Sequence, residues 1–235
     1  MGLDRALSAP EEFPSEIRRD YRDGHLSIVS RKRSRDYIES ILSDEYKISS
    51  STSKQTNYSS EDIAKCPFEP GKESLNIEIL RVGNPWRIRV IENKYPSLIN
   101  SAPRHSKKSE DGMFSLVGGY GVHEVLIESA KHEDIFEYMS QQQINEILRI
   151  LSDREQALYK KSGIKFVQIL RNYGSRAGAS IPHPHSQILA WPLLPTTIKV
   201  EGQKAKAYFE KHQECLYEHA LEGELYGGRV LAKND

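Results

Sequence analysis

Apolar residues fall along this chain in short runs, except in one stretch where they recur at helical spacing. Residues 15–35 carry two such runs joined at Asp23-Gly24, a hairpin signal, with Leu26, Ile28 and Val29 in the second. Leu75–Val82 and Arg87–Glu92 follow, separated by Gly83-Asn84-Pro85, which punctuates strands. Val122–Glu128, packed with β-branched and aliphatic residues, predicts another strand. From Lys131 to Lys161 the pattern changes. Phe136, Met139, Ile144, Ile147, Leu148, Leu151 and Leu158 recur at helical spacing, and Gly163 ends the run. Ile164–Leu170 and His183–Trp191 return to strand character. Strands joined by one long crossover helix predict an α+β sheet rather than a doubly wound one.

Polar stretches divide the chain. Residues 1–14 read as a tail, 15–200 as the main domain, and 201–235 as a helical extension. Ser43–Glu61 is polar and serine-rich and predicts a surface loop; Ser101–Gly112 is a second polar excursion. The extension contains a polar helix at about Gln203–Tyr217. It closes on Gly227–Ala232, which looks like the entry to a further strand and a second half.

Composition narrows the function. Basic and acidic residues balance at 33 each, which argues against wholesale nucleic-acid binding. No apolar run approaches the roughly 18 residues of a membrane span, and Met1–Phe13 has no apolar signal core. Two cysteines, Cys66 and Cys215, make no disulfide framework, so a cytoplasmic location is expected. The Asn57-Tyr58-Ser59 sequon is then a chance match.

The chemistry concentrates in Ser180-Ile181-Pro182-His183-Pro184-His185-Ser186-Gln187, preceded by the glycine-rich turn Asn172–Ala179. On a strand, His183, His185 and Gln187 would share one face. A neutral imidazole is a good nucleophile and can displace a phosphate leaving group. Glycines let backbone N–H groups approach phosphate oxygens. The combination predicts a phosphorus-transfer site.

Several separated motifs then agree with one family. The hairpin Ile17-Arg18-Arg19-Asp20…Arg33, the turn Cys66-Pro67-Phe68-Glu69-Pro70-Gly71 and Trp86–Pro96 are three of them. His123–Ser129…His132 and Asn172–Gln187 complete the set. Together, over roughly residues 15–200, they resemble the N-terminal half of galactose-1-phosphate uridylyltransferase, a branch of the histidine-triad superfamily. The resemblance implies a histidine-triad-like antiparallel sheet and ping-pong transfer of UMP. A nucleotide sugar, UDP-glucose, would give its UMP to a sugar 1-phosphate, galactose 1-phosphate. His185 would attack the α-phosphorus, its other ring nitrogen donating to a backbone carbonyl. Gln187, where hydrolases of the superfamily carry a histidine, would hydrogen-bond a phosphoryl oxygen; it cannot titrate, which favours transfer over hydrolysis. Arg33, Asn93, Asn172 and Ser180 match nucleotide- or phosphate-contacting positions. Asp36 stands where the family often has another arginine.

The same resemblance implies a structural zinc. Its ligand positions read Cys66, Glu69, His132 and His183, His132 opening the long helix, with glutamate in place of the family's second cysteine. Zinc accepts carboxylate oxygen, so the mixed set is chemically allowed. Glu201 falls at the spacing of a ligand to the family's second metal, whose histidines come from the other half; no second metal is expected in this chain. That other half also helps build the sugar-phosphate site, partly across a dimer interface, so a homodimer is expected. Two further readings stand beside the uridylyltransferase. One is a dinucleotide phosphorylase, adenylyltransferase or hydrolase of the same superfamily; the other is a truncated nucleotide-binding module without turnover.

Overall fold

The computed structural model describes residues 14–30, 60–109, 111–174, 177–226 and 229–230. Its centre is a five-stranded antiparallel sheet ordered β3-β4-β7-β9-β8. The strands are β3 (Glu78–Val82), β4 (Ile88–Glu92), β7 (Val122–Ile127), β8 (Phe166–Leu170) and β9 (His185–Trp191). A second sheet, ordered β2-β1-β6-β5, is built from β1 (Ser15–Arg19), β2 (Leu26–Ser30), β5 (Ser106–Lys108) and β6 (Ser115–Gly118). The helices are α1 (Ser60–Lys65), α2 (Gln141–Tyr159), α3 (Thr196–His212) and α4 (Leu216–Glu224).

Alternation along the central strands sorts residues between two faces. Ile88 and Val90 of β4, Leu126 of β7, and Ile188 and Ala190 of β9 pack against Ile147, Ile150, Leu151 and Leu158 of α2. Each large aliphatic buried there contributes about 1.5–3 kcal/mol of transfer free energy. Glu124, on the same face, is held by a two-pronged bond from Arg154 of α2, at 2.6 and 2.9 Å. The opposite face takes Ile91, Val125 and Ile127, covered by Cys66, Phe68 and Trp86. It also takes Leu189, which packs with Ile17 and Leu98, with Leu26 and Ile28 of the hairpin against them. The cleft opens between these two covering segments.

The α+β architecture, the hairpin and the crossover helix agree with the sequence pattern. β7 and β8 both pair antiparallel with β9, so α2 is the crossover joining two parallel strands across an inserted third. Boundaries differ where local chemistry overrode periodicity. The long helix begins at Gln141, not Lys131, because Ser140 caps it by accepting from the Gln143 N–H at 3.2 Å. A 3-10 turn at Phe136–Tyr138 supplies the earlier apolar positions. Strand β3 starts at Glu78, with a 3-10 turn at Glu73–Leu75 before it. The helix expected at Gln203–Tyr217 is two helices, broken where Gln213 turns left-handed at φ 57°. Ser106–Lys108 forms an edge strand inside an expected loop, and helix α1 begins at Ser60, where the serine-rich loop was expected to continue. Most of that loop lies outside the described residues, as does most of Gly227–Ala232. Among the described residues, no helix is long and apolar enough to cross a membrane.

Candidate active site

The cleft has a volume of about 850 Å³, inside the range of small-molecule sites. Its floor is the open face of β4, β7 and β9, which contributes Ile91, His123, Val125, His185, Gln187 and Leu189. Ile28 and Ser30 of β2 form one wall, Pro67 and Phe68 the other, and the glycine turn closes an end with Asn172, Gly178 and Ser180. Five residues singled out in the sequence therefore meet in one space: Asn93, Asn172, Ser180, His185 and Gln187. Arg33 and Asp36 lie outside the described residues.

His185 opens β9 and is 8 % exposed. Its Nδ1 lies 2.8 Å from the His183 carbonyl oxygen. A carbonyl only accepts, so Nδ1 carries the hydrogen and Nε2 keeps its lone pair. The Phe68 ring stands edge-on to it, centroids 5.6 Å apart. Gln187 sits two residues on, its Oε1 2.9 Å from His123 Nε2. In the turn, Gly174 and Gly178 adopt φ 78° and 82°, conformations that a side chain would strain. They fold the turn back so that the Ala177 and Ala179 N–H groups both reach the Gly174 carbonyl.

Alternation predicts His183 on one strand face with His185 and Gln187, but flanked by Pro182 and Pro184 it stays outside the strand, which starts at His185. It precedes β9 and joins Cys66, Glu69 and His132 in a cluster whose ligand atoms all lie within 4.8 Å of one another. His132 lies in the turn ahead of α2 rather than in its first turn. Glu69 Oε1 is 2.7 Å from His132 Nδ1 and 3.1 Å from His183 Nδ1. Nε2 of His183 donates to the Ser129 carbonyl at 2.7 Å. Burial holds the His183 ring below its ordinary pKa, which favours the neutral form. Its Nδ1 lone pair then faces a carboxylate oxygen, an arrangement that a bound cation satisfies. The carbonyl bond behind the ring is the usual support for a metal-ligating imidazole. Burial pushes the Cys66 thiol up, and a metal would reverse that by taking the thiolate. One sulfur, one carboxylate and two imidazoles at about 3–5 Å fit a tetrahedral cation with modest side-chain adjustment. The residues present fit the group.

Lys72 holds the turn carrying Cys66, bonding the Ala64 carbonyl and, at 2.8 Å, that of Cys66. Trp86 Nε1 donates to Glu73 at 2.6 Å, tying the far end of the turn to the sheet. Glu201 lies exposed on α3. His123 carries no site role in the sequence reading. The available signal was a polar residue at a cleft-facing register whose other positions, Val125 and Ile127, are apolar.

The two sheets, the crossover helix and the histidine-floored cleft define an α+β domain built around a nucleotide-sized site. Residues 20–211 match the family of the galactose-1-phosphate uridyl transferase N-terminal domain, and the chain belongs to that family. ADP-glucose phosphorylase of Arabidopsis thaliana is 34 % identical over 156 residues, 65 % of this chain and 44 % of that protein. Galactose-1-phosphate uridylyltransferase of Thermotoga maritima is 32 % identical over 162 residues, covering 68 % and 51 %. The chain thus spans about half the length of these relatives. Among solved structures, an ADP-glucose phosphorylase from Arabidopsis thaliana with bound ADP-glucose superposes with a TM-score of 0.58 at 27 % identity, over 88 % of this chain and 58 % of that one. A uridylyltransferase structure gives a TM-score of 0.66 at 23 % identity, over 94 % and 59 %, a likeness of fold.

Proposed function

We propose that this domain is a nucleotidyltransferase working through a nucleotidyl-histidine at His185, moving UMP from UDP-glucose to galactose 1-phosphate. The observation that carries the reading is the His185 ring, its hydrogen committed to the His183 carbonyl and its bare Nε2 in the cleft. Nε2 attacks the α-phosphorus of the nucleotide sugar. An N–P bond forms, the P–O bond to the sugar phosphate breaks, and the sugar 1-phosphate leaves with the bonding pair. An incoming sugar 1-phosphate oxygen then attacks the same phosphorus, and the imidazole is regenerated. Two displacements suit a nitrogen nucleophile, whose phosphorus bond is itself readily broken by an acceptor.

Charge on the non-bridging oxygens is met by neutral donors. Gln187 offers amide hydrogens, and Asn93, Asn172 and Ser180 surround the same space. None of these need change protonation in the cycle. Arg33 is assigned a phosphate contact by its position in the family motif. Zinc at Cys66, Glu69, His132 and His183 would act structurally, tying the Cys66 turn to the segment that delivers His185. A homodimer is part of this reading.

The Arabidopsis relatives favour a second reading, ADP-glucose as donor and inorganic phosphate as acceptor, on the same His185 chemistry. The chain would be incubated with UDP-glucose or ADP-glucose labelled in the α-phosphate, then treated with acid or alkali. A base-stable, acid-labile label absent from His185→Ala supports the transfer. The nucleotide that labels, and the acceptor that discharges it, choose between the readings. No label from either donor ends both.

A further inference from the structure

The cleft floor contains a histidine that the transfer chemistry leaves unused. His123 is 4 % exposed on β7, one register step diagonal to Gln187 on β9. The Ser97 backbone N–H donates to its Nδ1 at 3.0 Å, so that nitrogen carries no hydrogen. A neutral ring then bears its hydrogen on Nε2, 2.9 Å from Gln187 Oε1, and donates there. This matters because the two ends of a carboxamide are nearly the same shape, and a half-turn exchanges them. With Oε1 engaged, the NH2 end is the one offered to the cleft. Turned round, the NH2 would meet Nε2–H head on, and the oxygen would confront phosphoryl oxygens.

We infer that His123 is the positioning residue for Gln187, selecting the amide orientation that presents hydrogens to the transferred phosphoryl group. The inference rests on the proposed transfer at His185 and adds a residue to it. His123 is no acid or base here. Its Nδ1 is already taken by the Ser97 N–H, so its part is to orient the amide.

The relay starts from a rigid point. Ser97 is held from the other side by Ser15, whose hydroxyl bonds its carbonyl. Gly119 crosses Ser15 so closely that a Cβ there would lie 2.1 Å from the hydroxyl oxygen. The small sheet thereby sets the orientation of an amide on the large one. Asn93 stands on the other side of the ring. Its Oδ1 is committed to the Tyr95 N–H at 2.8 Å, and its Nδ2, 3.0 Å from His123 Nε2, cannot accept, so Gln187 Oε1 is the acceptor left for the ring hydrogen.

The test measures single-turnover labelling of His185 and nucleotide-sugar Kd in the parent chain, His123→Ala, His123→Gln, Gln187→Ala and the His123→Ala/Gln187→Ala double variant. Losing one preorganised donor costs on the order of 10²–10³-fold, and losing only its orientation is expected to cost roughly 10- to 100-fold in rate with Kd little changed. The double variant should be no slower than Gln187→Ala alone. His123→Gln, able to accept from Ser97 and donate to Gln187, should recover most of the rate. Unchanged labelling in His123→Ala, or slowing that multiplies in the double variant, overturns the inference. Failure of the parent chain to label sinks the transfer reading instead. In that case, or if His123→Ala does not fold, ¹⁵N NMR of the parent imidazoles decides: a hydrogen on His123 Nδ1 refutes the relay, and one on Nε2 upholds it.

Discussion

His185 Nδ1 lies 2.8 Å from the His183 carbonyl oxygen, while the His183 side chain faces Glu69 at 3.1 Å in the cation-ready cluster. One residue thus links the metal ligands to the ring proposed as nucleophile. Its side chain belongs to the cluster and its backbone sets the tautomer of His185. Disturbing the cluster should therefore reach the chemistry without touching the cleft.

Cys66→Ser tests that link. Removing the one soft ligand is expected to lower zinc affinity at least about tenfold and reduce thermal stability. Labelling of His185 should slow in proportion to metal lost and recover on adding excess zinc. Elemental analysis of the purified parent protein checks the premise: no stoichiometric metal would end the idea.

At the cleft floor, His185→Ala should abolish the covalent nucleotide while leaving nucleotide-sugar binding within a few-fold of the parent. Loss of a nucleophile costs about 10⁴-fold or more in turnover. Gln187→Ala should slow transfer by roughly 10²-fold with KM little altered, because its amide acts on charge that develops at the phosphoryl oxygens. Steady-state kinetics of the two variants checks both. Equal turnover in Gln187→Ala would remove that residue from the mechanism.

Much of this site was legible in the sequence, for physical reasons. Gln187 and His185 were readable because strand alternation places residues two apart on one face. His183 broke that rule: Pro182 and Pro184 flank it, and prolines withhold the N–H groups that a ladder needs. The long helix was readable from Ile147 to Leu158. Its start was not, because Phe136 and Met139 keep apolar spacing through a 3-10 turn and only the Ser140 cap marks the boundary. The role of His123 is not legible in the sequence because it depends on Ser97, twenty-six positions away, and on Gln187, sixty-four away, contacts that no local pattern encodes. Cys66, Glu69, His132 and His183 converge from three segments, and the family motif carried that set rather than any spacing.

Trp86 and Glu73 offer a stability prediction at the outer edge of the Cys66 turn. Trp86 is 6 % exposed and donates from Nε1 to Glu73 Oε1 at 2.6 Å. Glu73 Oε1 also accepts the Gly71 N–H at 3.2 Å, and hydrogen bonds from the Glu73 and Gly71 amides and from Trp86 hold its carboxyl below the usual range. Trp86→Phe keeps most of the ring but loses the bond, at about 1–2 kcal/mol by denaturant unfolding. Trp86→Ala also opens a cavity and should cost about 3–5 kcal/mol.

Glu128 makes the sharpest prediction away from the cleft. It is fully buried and accepts from Arg171 Nε at 2.9 and 3.0 Å and from Ser186 Oγ at 2.6 Å. Arg171 precedes Asn172 of the glycine turn, and Ser186 sits between His185 and Gln187 on the back of β9. One carboxylate therefore straps the turn to the strand, while its own N–H donates to the Pro184 carbonyl at 3.0 Å. Glu128→Ala strands a partly buried guanidinium and an unpaired hydroxyl, and breaking such a pair costs about 3–5 kcal/mol. Glu128→Gln keeps the shape and one acceptor, so its cost should be smaller, about 1–3 kcal/mol. Both losses are read by urea unfolding of the parent and variants at neutral pH. In the Gln variant the turn is tied to β9 by a weaker bond, so His185 labelling should slow several-fold with nucleotide affinity reduced alongside it. Unaltered unfolding midpoints in both variants would show that Arg171 and Ser186 find other partners, and that the strap is not what joins the turn to the strand.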